Sequence, residues 1–182
     1  MKKAIVLSLF IIITLFTITG CESTEKSSNN SVVLYFSATG TTKGIAERIA
    51  NQSNSDIIEI IPKDKYESKD LDYGNDCRAT KEQQDKNARP EIENTIDISA
   101  YDTIYLGYPI WWGDSPKIIL TLLDTYDFTG KTIIPFCTSG SSGIIGSVNK
   151  LREYKPELNI KDGMRFAAGD SDKIIKDFIN NN

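Results

Sequence analysis

The order of apolar runs and helical patterns predicts an α/β domain: a doubly wound, five-stranded parallel sheet with helices on both faces. Two observations carry this. Five short runs rich in β-branched and aromatic residues lie between Ser31 and Asn182, and four are followed by apolar residues at helical spacing. Such alternation demands right-handed crossovers that bury both faces of the sheet.

The elements follow in order. Val32–Phe36 is the first strand, and Ile45, Ala46, Ile49 and Ala50 mark the apolar face of a helix over Thr42–Gln52. Asp56–Ile61 is the second strand, stopped by Pro62. Thr103–Tyr108 is the third, stopped by Pro109, and Pro116 opens a helix over Lys117–Leu123, a favoured place for proline. Thr132–Phe136 is the fourth, followed by a Gly/Ser loop and a helix over Ile145–Tyr154. Met164–Ala168 is the fifth, before a helix over Asp172–Asn180 with Ile174, Ile175, Phe178 and Ile179 apolar. One stretch breaks the rhythm. Residues 63–90 are highly polar and lack a long apolar period, so they read as an irregular insert, of the length usually found in functional or disordered loops.

The N-terminus lies apart from this domain. Lys2 and Lys3 precede an uncharged run from Ala4 to Thr19, short for a membrane span of about 20 residues. Residues 1–20 therefore read as a signal peptide. Its end, Ile18-Thr19-Gly20-Cys21, resembles the bacterial lipobox, which implies cleavage before Cys21, lipid on its sulfur and a mature protein anchored at the extracytoplasmic face of the cell membrane. The alternative is an uncleaved N-terminal anchor, and either way the chain is attached to a membrane. Residues 21–30 form a lipidated, polar tether, whose nine residues after Cys21 reach roughly 30 Å when extended. Residues 31–182 form the domain.

Charge and composition exclude whole classes. The formal charge is −4, and loss of Lys2 and Lys3 takes it to −6, which disfavours nucleic acid and favours a basic docking partner. The absence of histidine removes Ser-His and Cys-His catalysis and most zinc sites. Cys77 and Cys137 read as free thiols. Cys137 opens a Gly/Ser loop as in a cysteine phosphatase, but no arginine follows before Lys150 to bind a phosphate dianion.

Three loops at strand carboxyl ends hold the chemistry. The first is Ser37-Ala38-Thr39-Gly40-Thr41-Thr42: four hydroxyls and one glycine at a strand-to-helix turn, which is a phosphate cradle at the positive end of a helix dipole. It lacks the Gly-Lys-Ser/Thr of a Walker loop. The second is Pro109-Ile110-Trp111-Trp112, then Gly113 and Asp114; one tryptophan is expected in the core and the other, for preference Trp111, on the ligand. The third is Thr138-Ser139-Gly140-Ser141-Ser142-Gly143, where backbone can approach a flat ligand. Asp114 and Asp170 read as helix-start caps, and Arg78, Lys81 and Arg89 as a solvated face. A phosphorelay receiver shares the topology but needs acidic residues after strand one and an aspartate after strand three, where this chain has Ser37 and Pro109.

Together the loops resemble the short-chain flavodoxin-like family. Ser37, Thr39, Gly40 and Thr42 match its S/T-x-T-G-x-T phosphate signature, and the loops 109–112 and 138–143 are similar to its two ring-flanking loops. The resemblance implies strand order 2-1-3-4-5, FMN as cofactor, and electron transfer with a redox partner protein or a small redox substrate. The chain departs from the family in one respect that matters. No aromatic residue occurs between Thr138 and Gly146 to cover the second flavin face, which leaves that face to backbone, to Tyr66 or Tyr73 of the insert, or open. Three functions stay in play: a one-electron carrier whose acidic surroundings lower the flavin potential, an NAD(P)H or quinone reductase working at the open face, and a non-catalytic lipoprotein that binds a phosphorylated ligand.

Overall fold

The computed structural model describes residues 30–73 and 76–182. The readings of residues 1–20, of Cys21 and of the tether as far as residue 29 lie outside the described residues.

Strand β1 (Ser31–Tyr35) is the axis of the sheet. It pairs in parallel with β2 (Asp56–Glu59) on one side and β3 (Thr103–Pro109) on the other. Beyond β3 lies β4 (Thr132–Thr138), then β5 (Asn159–Ile160), giving the order β2-β1-β3-β4-β5. A sixth strand, β6 (Met164–Phe166), also pairs with β4. The expected fifth strand, Met164–Ala168, is β6, and the two-residue β5, which the sequence did not indicate, precedes it along the same edge. β5 meets Thr132 and Ile133, and β6 meets Phe136, Cys137 and Thr138. Between them stands Pro135, which has no N–H to continue a ladder and whose carbonyl lies against Gly163.

Successive strand residues serve opposite faces, as the pleat requires. Val33, Tyr35, Tyr105, Ile134 and Phe136 pack with helix α1 (Thr41–Ser53) and helix α5 (Asp172–Asn180), through Ile45, Ile49, Ile175 and Phe178. Val32, Leu34, Ile104, Leu106 and Ile133 pack with helix α3 (Lys117–Thr125) and helix α4 (Ile145–Tyr154), through Ile118, Leu122, Val148 and Leu151. The chain leaves β1 toward one face and β3 toward the other, so a crevice opens between their carboxyl ends.

Between residues 63 and 90, the described residues are more ordered than their polarity implied. They hold a 3₁₀ turn at Ser68–Leu71 and a helix, α2 (Arg78–Gln84), with Cys77 and Ala79 buried in the α3/α4-side core. Tyr66 packs edge-on against Phe36 and Trp111, its hydroxyl bonded to Glu82. Arg78 lies 4.2 Å over the Tyr66 ring, donates to Glu82 Oε1 at 2.7 Å and to the Asp64 carbonyl at 2.9 Å. Arg89 binds Asp124 and Tyr154. Arg78 and Arg89 therefore fasten the insert to the body rather than facing solvent, and only Lys81 fits the expected exposed face. A polar segment can be ordered in this way when its charges have specific partners, a source of order that apolar periodicity does not register.

Candidate flavin site

The crevice at the strand carboxyl ends is a cleft of about 540 Å³, within the range of small-molecule sites. Its floor is the turn between β1 and α1. Gly40 takes φ +88° there, a left-handed conformation that favours glycine, and it starts α1 without any side-chain cap. The helical ladder opens with Gly44 N–H to Gly40 O at 3.0 Å, so the amides of Thr41, Thr42 and Lys43 precede it at the positive end of the helix. The hydroxyls divide their work. Ser37 Oγ accepts Gly40 N–H at 3.1 Å and shapes the turn. Thr42, buried, shares a 2.8 Å hydrogen bond with Thr138 across the cleft base. Thr39 and Thr41 are left with exposed hydroxyls 3.5 Å apart. A turn with donor amides, two exposed hydroxyls and no capping side chain is built to take an anion.

The first wall is Pro109, Ile110 and Trp111. Trp111 and Asp114 exchange backbone hydrogen bonds at 2.8 and 3.0 Å, closing a two-residue hairpin whose central residues, Trp112 and Gly113, have φ +48° and +73°. This turn sends the two tryptophans apart. Trp111 is 3 % exposed and packs edge-on against Phe36 and Tyr66, while Trp112 is 41 % exposed and lies 4.3 Å from the ring of Tyr73. Gln83 of α2 braces the turn from behind, donating to the carbonyls of Trp111 and Ser115.

The second wall is Thr138, Ser139 and Gly140, joined to the first by Ile110 N–H to Thr138 O at 3.0 Å. It is held from β6. Arg165 donates from Nε and Nη2 to Ser139 O at 3.2 and 3.0 Å, and from Nη2 to Gly140 O at 3.1 Å. Phe166, Ala167 and Ala168 extend this wall, and Leu71 and Tyr73 of the insert close the remaining side. Among the described residues, Arg165 is the one charged side chain that lines the cleft, and no aspartate or glutamate does so. Beneath the wall, burial pushes the Cys137 thiol up to about 12 against the pull of Arg165, so it stays protonated and unreactive. The phosphatase reading has no thiolate to work with.

The comparisons with known proteins meet at this site. The family model for flavodoxin matches residues 30–182. This chain belongs to the flavodoxin family. A proposed flavoprotein from Bacteroides uniformis is 39 % identical, with a TM-score of 0.80 over 84 % of this chain and 99 % of its own. Another, from Bacteroides eggerthii, is 38 % identical, with a TM-score of 0.79 over 82 % of this chain and 95 % of its own. A flavoprotein from Lactobacillus acidophilus, solved in complex with FMN, is 25 % identical, with a TM-score of 0.64 over 83 % of this chain and 99 % of its own. No curated protein matches the chain.

Within this flavodoxin fold the loops named from sequence converge, though not every residue reaches the cleft. Ala38, Thr39, Thr41, Thr42, Pro109, Ile110, Trp111, Thr138, Ser139 and Gly140 line it. Ser37 and Gly40 shape the turn from outside the lining, and Trp112, Ser141 and Gly143 lie beyond the rim. Trp111, the residue preferred for the ligand, lines the cleft but is buried in the core against Phe36 and Tyr66, while Trp112 is the exposed tryptophan. Asp114 is not a helix cap. Its carboxylate accepts Ser115 N–H and pairs with Lys150 at 3.0 Å, and α3 has Pro116 at its N-cap, with no side-chain cap. Asp170 instead closes the turn after β6 by accepting Ala167 N–H, and the residue before α5 is Ser171. Arg165, Leu71 and residues 166–168 are the lining groups that the loop motifs did not indicate. The signal available was a cation inside an otherwise apolar run, the last predicted strand, Met164–Ala168.

Proposed function

We propose that this chain is an FMN-binding redox flavodoxin, held by lipid on Cys21 at the extracytoplasmic face of the membrane, which passes electrons between partners. The observation that carries the flavin reading is the pairing, in one cleft, of an uncapped helix N-terminus with an aromatic and apolar wall. The residues fit the cofactor. Amides of Thr41, Thr42 and Lys43 with the hydroxyls of Thr39 and Thr41 would hold its phosphate, and Pro109–Trp111 and Thr138–Gly140 would flank its ring. Bound FMN supplies a ring able to accept and release electrons. The chain's own work is to anchor, orient and shield it.

A reductase acting on NAD(P)H or a quinone is the second reading. It is favoured by the loop of the second wall, Thr138–Gly140, which offers backbone and small side chains and no aromatic ring to cover the flavin. The decisive experiment is an absorbance spectrum of the purified protein followed by titration with dithionite and with NAD(P)H. A yellow protein with flavin bands is expected; a colourless one that takes up no added FMN would refute the proposal and favour a ligand-binding lipoprotein. Reduction in two separated one-electron steps supports the carrier, whereas bleaching by NAD(P)H faster than free FMN supports the reductase.

Membrane attachment rests on the Lys2–Cys21 sequence pattern alone. Among the described residues no helix is long and apolar enough to cross a membrane. A Cys21→Ser variant should leave the membrane fraction and lose incorporation of labelled fatty acid. Retention of both would defeat the lipid anchor.

A further inference from the structure

We propose that Arg165 is the cation that sets the redox preference of this flavin site, stabilising the ring in its two-electron-reduced, negatively charged form and directing the protein toward hydride donors. The inference rests on the FMN reading above and separates its two branches. Three observations support it. Among the described residues Arg165 is the sole charged side chain lining the cleft, in a chain whose formal charge is −4. Its side-chain hydrogen bonds all go to neutral carbonyls, those of Ser139 and Gly140, and it forms no ion pair with a carboxylate among the described residues. Its charge is therefore not cancelled locally. Its position is also fixed, because β6 is registered on β4 with Arg165 opposite Cys137, and the guanidinium grips the loop that forms the second wall.

The physical consequence follows from charge alone. Two-electron reduction of a flavin near neutral pH takes up two electrons and one proton, and the ring passes from neutral to a single negative charge. A hydride donor supplies both electrons and the proton in one transfer and is left oxidised. An opposite charge within about 4–6 Å favours an ionised group by one to three pKa units, which is tenfold or more. Acidic surroundings would act the other way and hold the reduced ring at low potential. Among the described residues no carboxylate lines this cleft, so the charge lining it is opposite in sign to the net charge of the protein. The guanidinium is half-buried and shares its donors with two carbonyls, which places the expected effect at the lower end of that range.

The test uses the full-length protein loaded with FMN, and compares wild type with Arg165→Gln and Arg165→Lys. Potentials are measured by spectroelectrochemistry at neutral pH, alongside dissociation constants for oxidised FMN and for riboflavin. Arg165→Gln, which keeps a donor for the loop carbonyls but loses the charge, should lose about tenfold of the preference for reduced over oxidised flavin. That is a midpoint roughly 30 mV lower for a two-electron couple. Arg165→Lys should keep most of the wild-type preference. An Arg165→Gln potential equal to wild type overturns the inference. So does loss of FMN affinity with riboflavin affinity kept, since the arginine would then serve the phosphate. So does an Arg165→Lys protein that behaves like Arg165→Gln, which would make loop positioning rather than charge the cause. A wild-type protein that takes no FMN overturns the flavin reading itself, and is told apart because it fails before any variant is compared.

Discussion

The two walls of the cleft are built on opposite principles. The loop at 109–114 is a hydrophobic structure: a tight hairpin turn pins Trp111 into a cluster with Phe36 and Tyr66, and Gln83 braces it from behind. The loop at 138–140 has no large side chain and is shaped by polar strings, one from Thr42 and one from Arg165. The first wall is held by burial, which is non-directional and large. The second is held by a few directional bonds, each worth far less. The first should therefore govern folding, and the second should govern how the site meets a ligand.

Substitutions can break or sharpen this contrast, and the largest effect belongs to the first wall. Trp111→Ala should destabilise the protein by about 3–5 kcal/mol, as expected for truncating a buried tryptophan, measured by urea unfolding. A cost near that of a surface mutation would show that the aromatic cluster is not a core. Next is Gly163→Ala, where a Cβ would stand 2.5 Å from Pro135 O and 2.6 Å from Ile144 Cδ1. We expect about 1–3 kcal/mol from overpacking, together with weakened FMN binding as β6 and Arg165 shift. Unchanged binding would uncouple β6 from the second wall. Thr42→Val leaves the buried Thr138 hydroxyl without its 2.8 Å partner, for a loss of about 1–2 kcal/mol. Double-mutant analysis with Thr138→Val should recover part of that loss, and strict additivity would argue against the bond.

The insert, which closes the third side, offers a pH test. Burial pushes the Asp124 carboxyl up, but hydrogen bonds from Tyr154, Arg89 and Lys155 outweigh it and hold it at about 2, below its ordinary 3.8. A depressed carboxyl contributes stability that is present above the ordinary value and lost as pH falls through the folded value. Asp124 is about a third exposed, so solvent screening reduces the contribution to about 1 kcal/mol. Asp124→Asn should thus cost about 1 kcal/mol at pH 7, and the difference should close as pH falls toward 2. A constant difference would mean that the carboxylate charge is not what ties Arg89 to the body. The smallest effect is Tyr73→Ala. Tyr73 is 56 % exposed, so stability should change by less than about 0.5 kcal/mol, while bound flavin should fluoresce more strongly if that ring shields the cleft.

Much of this molecule follows from local pattern. Helices α4 and α5 have the limits that their apolar spacing implies, and the three loops that converge are the three whose composition is unusual. Each is a local property: periodicity follows from which face of a helix or strand is buried, and a Ser/Thr/Gly turn between strand and helix presents its amides whatever lies around it. Tertiary structure decided the rest. Trp111 and Trp112 are equivalent as sequence, and only a turn with two positive φ values settles which one enters the core. The split into β5 and β6 depends on Pro135 in the neighbouring strand. The polar insert is ordered by Arg78, Arg89, Tyr66 and Gln83, whose partners on Asp64, Asp124, Phe36 and Trp111 lie at separations that no periodicity reports. Arg165 reaches back to a loop 25 and 26 residues earlier, and among the described residues no carboxylate pairs with it. Periodicity records what each segment buries; which charges and rings face one another is set only when the segments pack.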